Sequence, residues 1–350
     1  MKRTLGYLLL EDGAVFRGRS VGAGGHAFGE AVFTTGMTGY QETITDPSYA
    51  EQLVAFTAPM IGNYGVDDAR LESARPHARA VLMRRLGGKA WAGWLAEHGI
   101  VALDEIDTRA LTLRLREAGA MRGVAVSDEG ELTVGDALAA VRAQPPMAGQ
   151  ALVEQVSTAA AYVASEAGRV QVAVVDYGAK RSIVRRLTLA GAAVTVYPHL
   201  ADPDELARHD GVLLSNGPGD PEPLTRETAV VSELLGRVPV LGICLGHQLL
   251  GLATGHETYK LPFGHRGGNH PVLERRSGRV LVTSQNHGFA VAPAEGEEAT
   301  HISLYDGTVE GFDLPELRAR SVQFHPEAGP GPHDAWPILD GWVRELEGVA

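Results

Sequence analysis

The sequence predicts an α/β protein, with a mixed α/β domain at the N-terminus and then an open, mostly parallel sheet with helices on both faces. Three observations carry this expectation. From residue 170 onward, short apolar runs alternate with stretches of helical periodicity, as parallel strands covered by helices do. Near the start, residues 5–20 read as a hairpin, because Asp12-Gly13 separates two strand-like runs. Between them, Gln144-Pro145-Pro146-Met147-Ala148-Gly149-Gln150 breaks regular structure, and residues 159–168 are mostly small and polar. At roughly 100–200 residues per domain, the 350 residues suit two domains. Residues 1–150 are assigned to the first, 151–169 to a linker and 170–350 to the second.

The elements follow in order. The apolar run 5–10 ends at Glu11 and Asp12, too short to span a membrane. No small-residue cleavage site follows it, so it reads as a first strand rather than a signal peptide, and a cytoplasmic chain is expected. Glycine- and threonine-rich segments occupy 21–40, and further apolar runs lie at 53–56 and 80–83. Leu111, Leu115 and Ala118 recur at helical spacing within 107–118. Past the boundary, strands are expected at 172–175, 192–197, 211–214 and 238–243. Helices are expected at 179–190, ended by Gly191, and at 224–235. In such sheets, sites gather at the carboxyl ends of strands.

Composition narrows the chemistry. With 44% hydrophobic and 21% charged residues the chain is globular rather than disordered. A net charge of -12 argues against a nucleic-acid binder. The single cysteine, Cys244, excludes an intramolecular disulfide and any cysteine-rich zinc site. His265, His270 and His287 lie in one region, but no carboxylate or second cysteine has ligand spacing with them, so no metal is expected. There is no Walker A motif, and Val21-Gly22-Ala23-Gly24-Gly25 is no dinucleotide fingerprint, because no helix pattern follows it closely.

Gly242-Ile243-Cys244-Leu245-Gly246 lies between a strand and a helix. It is the thiol counterpart of the hydrolase nucleophile elbow, in which glycines permit a tight turn. Cys244 would stand at a helix N-terminus, where the positive dipole end favours an anion. The N–H of Leu245 would face a developing oxyanion. A buried, inert cysteine is the ordinary alternative. A thiol nucleophile needs a base. Among 13 histidines, His325 ends the alternating run Arg320-Ser321-Val322-Gln323-Phe324 and is followed by Pro326-Glu327. Residues two apart on an extended chain point the same way, so Glu327 can reach and orient His325.

Gly242-Ile243-Cys244-Leu245-Gly246-His247-Gln248 with Phe324-His325-Pro326-Glu327 resembles the class I, triad glutamine amidotransferases. More narrowly, the chain is similar to the small, glutaminase-subunit family of carbamoyl-phosphate synthetases. In the first half Thr38-Gly39-Tyr40-Gln41-Glu42, Thr45-Asp46-Pro47-Ser48-Tyr49 and Ile61-Gly62-Asn63-Tyr64-Gly65 carry the narrower likeness. In the second half Gly267-Gly268-Asn269-His270-Pro271 and Ser284-Gln285-Asn286-His287-Gly288-Phe289 add to it.

The resemblance implies that Cys244 attacks the side-chain amide of glutamine, with His325 as base and acid and Glu327 orienting it. It implies an oxyanion hole from the N–H groups of Leu245 and Gly219. It implies glutamine contacts from Ser48, Gly217, Gly219, Leu245, Gln248, Asn286, Gly288 and Phe289, with Ser48 bringing the first domain to the site. It also implies a large ATP-binding partner subunit that receives ammonia and holds ATP and Mg, with no cofactor in this chain. Gly329, Tyr64 and Tyr305 depart from the expected pattern, and none of them is a member of the implied triad. Alternatives are a triad glutaminase serving another synthetase, a stand-alone thiol hydrolase and a non-catalytic scaffold.

Overall fold

The structure is a computed structural model that describes residues 4–293 and 299–348. The chain forms two compact units, Met1–Met147 with Pro262–Arg266, and Ala148–Leu261 with Gly267–Ala350.

In the first unit seven strands close into a barrel: β1 (Leu5–Leu10), β2 (Val15–Ser20), β3 (His26–Thr34), β4 (Gln52–Phe56), β5 (Ala80–Leu82), β6 (Val101–Asp104) and β7 (Met121–Val126). Their order is β1-β2-β6-β5-β4-β3-β7. The expected hairpin is present, with Leu5 opposite Arg19 and Leu9 opposite Val15. Gly13 takes the left-handed φ of 93° that its turn requires. The glycine- and threonine-rich segment contains β3, which pairs antiparallel with β7 and parallel with β4. Helix Thr108–Ala118 starts where Asp107 accepts the Ala110 N–H, an ordinary N-cap. Residues 262–266 belong with this unit: Phe263 stacks on Phe33, and the Pro262 carbonyl accepts from Ala120.

The second unit holds β8 (Tyr162–Ser165), β9 (Val170–Asp176), β10 (Ala192–Pro198), β11 (Gly211–Leu214), β12 (Val240–Ile243), β13 (Thr258–Glu274) apart from its residues 262–266, β14 (Arg279–Val291), β15 (His301–Ser303), β16 (Val309–Leu314) and β17 (Ala319–Val322). The sheet runs β14-β13-β15-β16-β17-β12-β11-β9-β10-β8. The central strands β10, β9, β11, β12 and β17 are parallel. The pairings of β8 with β10, β17 with β16, β16 with β15 and β15 with β13 are antiparallel.

Side chains alternate across the sheet, so β9 serves two cores. Val172 and Val174 pack with Ile183 and Leu187 of helix Arg181–Ala190 and with Leu339 and Trp342 of helix Trp336–Leu346. Ala173 and Val175 pack on the other face with Val231 and Leu234 of helix Thr225–Leu234 and with Leu249 and Leu250 of helix Leu245–Ala253. A fully buried parallel strand must be apolar at every position, which is why 172–175 is a continuous run. Gly191 ends its helix in the left-handed conformation, with φ 105°.

Gly168 sits in the small, polar stretch, yet its smallness serves packing. A Cβ there would lie 1.9 Å from the Ala193 nitrogen. Gly93, exposed in helix Lys89–Glu97, would place a Cβ in open space. Gly168→Ala is therefore expected to lower unfolding free energy by about 2 kcal/mol, and Gly93→Ala to raise it by ~0.5–1 kcal/mol. Urea denaturation of the two full-length variants checks both signs.

Candidate active site

Cys244 joins β12 to helix Leu245–Ala253 at φ 54° and ψ -102°. That conformation is sparsely populated for a non-glycine residue and costs about 1–3 kcal/mol. Its neighbours hold it there. A Cβ on Gly242 would lie 2.6 Å from the Gly246 oxygen, and one on Gly246 would lie 2.2 Å from the Leu214 oxygen. Both positions therefore admit only glycine while strand and helix meet this closely. The Cys244 N–H donates to the Val322 carbonyl at 2.9 Å, tying the elbow to β17. The buried thiol lies 3.7 Å from the Asn286 carbonyl. The N–H of Leu245 opens the helix, among the first four that lack an intrahelical acceptor.

His325 and Glu327 follow β17 and are both buried. His325 Nδ1 is 2.8 Å from Glu327 Oε1. The same oxygen accepts from Lys180 Nζ, also at 2.8 Å. Lys180 is buried too, just past the carboxyl end of β9. Burial works against an imidazolium at His325, but the Glu327 carboxylate overrides it and raises the His325 pKa; Cys244 adds to the rise and Lys180 opposes it. Burial also works against the Glu327 carboxylate, yet Lys180 and His325 together hold its pKa well below the usual range. His325 Nε2, the nitrogen away from Glu327, meets no partner at ordinary hydrogen-bond geometry among the described residues, but the Cys244 side chain contributes to the raised His325 pKa, so the thiol is the group that nitrogen serves.

His247 lies nearer to Cys244 in sequence but is engaged elsewhere. Its Nδ1 is 2.8 Å from Ser321 Oγ, and its ring stacks on Phe312. Burial, with His256 and His301 nearby, pushes its pKa down to about 3, so it stays neutral. The two imidazoles thus differ because one faces a buried carboxylate and the other does not.

The loop Ser215–Asp220 follows β11. Gly219 has a φ of 91°, and a Cβ there would lie 2.5 Å from the Gln150 oxygen. Asp220 donates its N–H to Gln150 O and accepts from the Gly149 N–H at 2.8 Å, so residues 149–150 clamp this loop. Gly217 would place a Cβ 2.3 Å from the Tyr177 oxygen and 2.7 Å from Leu245 Cδ2. Asn286, Gly288 and Phe289 lie on β14. Gln248 Nε2 donates to the Phe289 carbonyl at 2.8 Å and to Gln323 Oε1 at 3.1 Å, so its amide nitrogen is occupied by the protein.

Cys244, His325, Glu327, Gly217, Gly219, Leu245, Gln248, Asn286, Gly288 and Phe289 thus all belong to the second unit. Ser48 belongs to the first, in the 3-10 turn Pro47–Tyr49, where its N–H donates to Asp46 Oδ1 at 2.9 Å. Of the departures from the family pattern, Tyr64 stacks on Tyr40 and accepts from the N–H of Gly39, while Tyr305 donates to the Asn269 carbonyl. Lys180 escaped the sequence reading. Its signal was a lysine two residues beyond Gly178, at the carboxyl end of a strand, where sites gather.

Comparison with known proteins follows the same division. The description "Carbamoyl-phosphate synthase small chain, CPSase domain" matches residues 8–125, and "Glutamine amidotransferase class-I" matches residues 173–344. A carbamoyl phosphate synthase small chain of Xanthomonas campestris pv. campestris is 45% identical, with 97% of each chain covered. That of Streptomyces coelicolor is also 45% identical, covering 99% of this chain and 97% of its own. The small chain of Escherichia coli K12 is 42% identical, with 97% of each covered.

The two shifted groups give opposite pH dependences of stability. Glu327, depressed, contributes stability above its ordinary value near 4.5 and loses it as pH falls through the folded value. His325, raised, contributes fully below its ordinary value near 6.5 and loses that contribution as pH rises toward the folded value. The destabilisation caused by His325→Asn is therefore expected to be larger at about pH 6 than at about pH 9. Urea midpoints of both proteins at each pH measure it; an equal or reversed difference would contradict the assigned direction.

Proposed function

Because the chain belongs to the carbamoyl-phosphate synthase small-chain family, we propose that its glutamine amidotransferase domain hydrolyses glutamine through a γ-glutamyl thioester on Cys244 and passes the ammonia to a large synthetase subunit. The observation that carries this reading is the strained elbow at Cys244, in the same unit as the buried line His325–Glu327–Lys180.

In this mechanism the sulfur of Cys244 bonds to the side-chain amide carbon of glutamine. His325 holds the thiol proton as imidazolium, with Glu327 at Nδ1 fixing which nitrogen faces the reaction. Negative charge on the amide oxygen is met by the N–H groups of Leu245 and Gly219. The carbon–nitrogen bond then breaks, and His325 gives its proton to the departing ammonia. Water, deprotonated by the now neutral His325, attacks the thioester, the carbon–sulfur bond breaks and glutamate leaves. Glutamine contacts are assigned to Ser48, Gly217, Gly219, Leu245, Gln248, Asn286, Gly288 and Phe289. For Gln248 the contact falls to its amide oxygen, since the nitrogen serves Phe289 and Gln323.

The first unit is assigned to partner contact. ATP and Mg belong on the large subunit, where ammonia becomes carbamoyl phosphate for arginine and pyrimidine synthesis. Among the described residues no helix is long and apolar enough to cross a membrane, and a cytoplasmic setting fits the reading.

Cys244→Ser in the complex with the large subunit is expected to abolish glutamine-dependent synthesis, while synthesis from added ammonia survives. Assaying carbamoyl phosphate from each nitrogen source tests this. Glutamine-dependent synthesis that persists in the variant would remove Cys244 from the mechanism. Peptide cleavage by the isolated chain would instead favour a stand-alone thiol hydrolase.

A further inference from the structure

The turn after His325 is strained in a way the triad alone does not explain. Ala328 takes a left-handed φ of 48°, and its N–H donates to the His325 carbonyl at 3.2 Å. The peptide between Glu327 and Ala328 is therefore held in an orientation that an alanine resists. One side chain bonds to that peptide directly. Trp336 Nε1 donates to the Glu327 carbonyl at 3.1 Å.

Trp336 is itself locked. Its ring stacks on His333 at a centroid distance of 3.6 Å. The Arg186 guanidinium lies 4.1 Å from the ring centroid. Arg186 in turn makes a two-point ion pair with Asp340, one turn further along the helix that Trp336 begins. Such a planar cation over an indole, anchored by a carboxylate, holds the ring against rotation. Ser284 Oγ adds a second tether, donating to the Pro330 carbonyl at 2.9 Å.

We infer that Trp336, fixed between Arg186 and His333, is a positioning residue for the Glu327–His325 arm: by holding the strained 327–328 peptide it keeps the carboxylate against His325 Nδ1. The inference rests on the glutaminase reading above. Trp336 touches neither substrate nor the reacting sulfur in this account and acts only through Glu327.

The test is Trp336→Phe in the full chain with its large subunit, followed through glutamine hydrolysis across pH. The variant keeps an aromatic ring and loses only the donor. Its kcat is expected to fall about fivefold, the rate equivalent of one ordinary hydrogen bond, with KM little changed. The basic limb of the kcat/KM profile is expected to move to lower pH, because a less closely held carboxylate supports the imidazolium less. A merely structural tryptophan would leave that limb in place. Wild-type kcat and an unmoved limb would overturn the positioning role. If Trp336→Phe fails to fold, Arg186→Met carries the test, since it leaves the indole but removes the cation that locks it: a basic limb shifted the same way supports the role, and an unmoved limb overturns it. A wild-type complex that hydrolyses no glutamine would overturn the underlying reading instead, so the two failures are distinguishable.

Discussion

Everything at the candidate site depends on one buried carboxylate oxygen. Glu327 Oε1 accepts from Lys180 Nζ and faces His325 Nδ1, both at 2.8 Å. A buried charge without partners would cost several kcal/mol, so this carboxylate requires both neighbours. Lys180 follows the carboxyl end of β9, and His325 and Glu327 follow that of β17; Cys244, on the elbow after β12, completes the arrangement. Three parallel strands of one mixed sheet therefore have to end at the same level. The alternating cores on either side of β9 supply the rigidity that keeps them there.

Around that oxygen the backbone is strained in two places, Cys244 and Ala328. Each strained residue has a tight local frame. Gly242 and Gly246 admit no side chain at the elbow, and the Ala328 turn is bound by its own hydrogen bond and by Trp336. Local conformational cost at such positions persists only when surrounding packing over-determines it. The second unit provides that packing through helices on both faces of the sheet. Its catalytic precision, in this account, is a property of the sheet as much as of the triad.

Much of this was legible in the sequence, for identifiable reasons. The Asp-Gly turn, the apolar run at β9 and the glycine spacing around Cys244 are local signals, each set by short-range sterics or by burial on two faces. Barrel closure in the first unit was not legible, because it depends on pairings between strands far apart in sequence, β1 with β7, β2 with β6 and β3 with β7. The antiparallel flank of the second sheet was missed for a similar reason: β13 to β16 carry mixed polar and apolar residues with no clear helical interval between them. Tyr162–Ser165 read as linker because its side chains are largely exposed; as the edge strand β8 it is bonded on one side only. Lys180 could not be assigned from spacing, since it meets Glu327 from 147 residues away in sequence; Trp336 is only 9 residues from Glu327, but the turn that brings its indole back to the Glu327 carbonyl leaves no periodic signal. Gln248 lies on the helix after the elbow, and its sequence position gives no sign that its amide nitrogen is already engaged by Phe289 and Gln323.

In the proposed mechanism Cys244 becomes covalently bonded to the γ-glutamyl group of glutamine. Because it is the only cysteine in the chain, intact mass can read this without ambiguity. The full chain with its large subunit would be mixed with glutamine, quenched in acid within a turnover and analysed by mass spectrometry. One γ-glutamyl adduct is expected, carried by the peptide containing Cys244 and released by hydroxylamine. Turnover of glutamine with no adduct at Cys244 under any quench time, or an adduct on another residue, would contradict it.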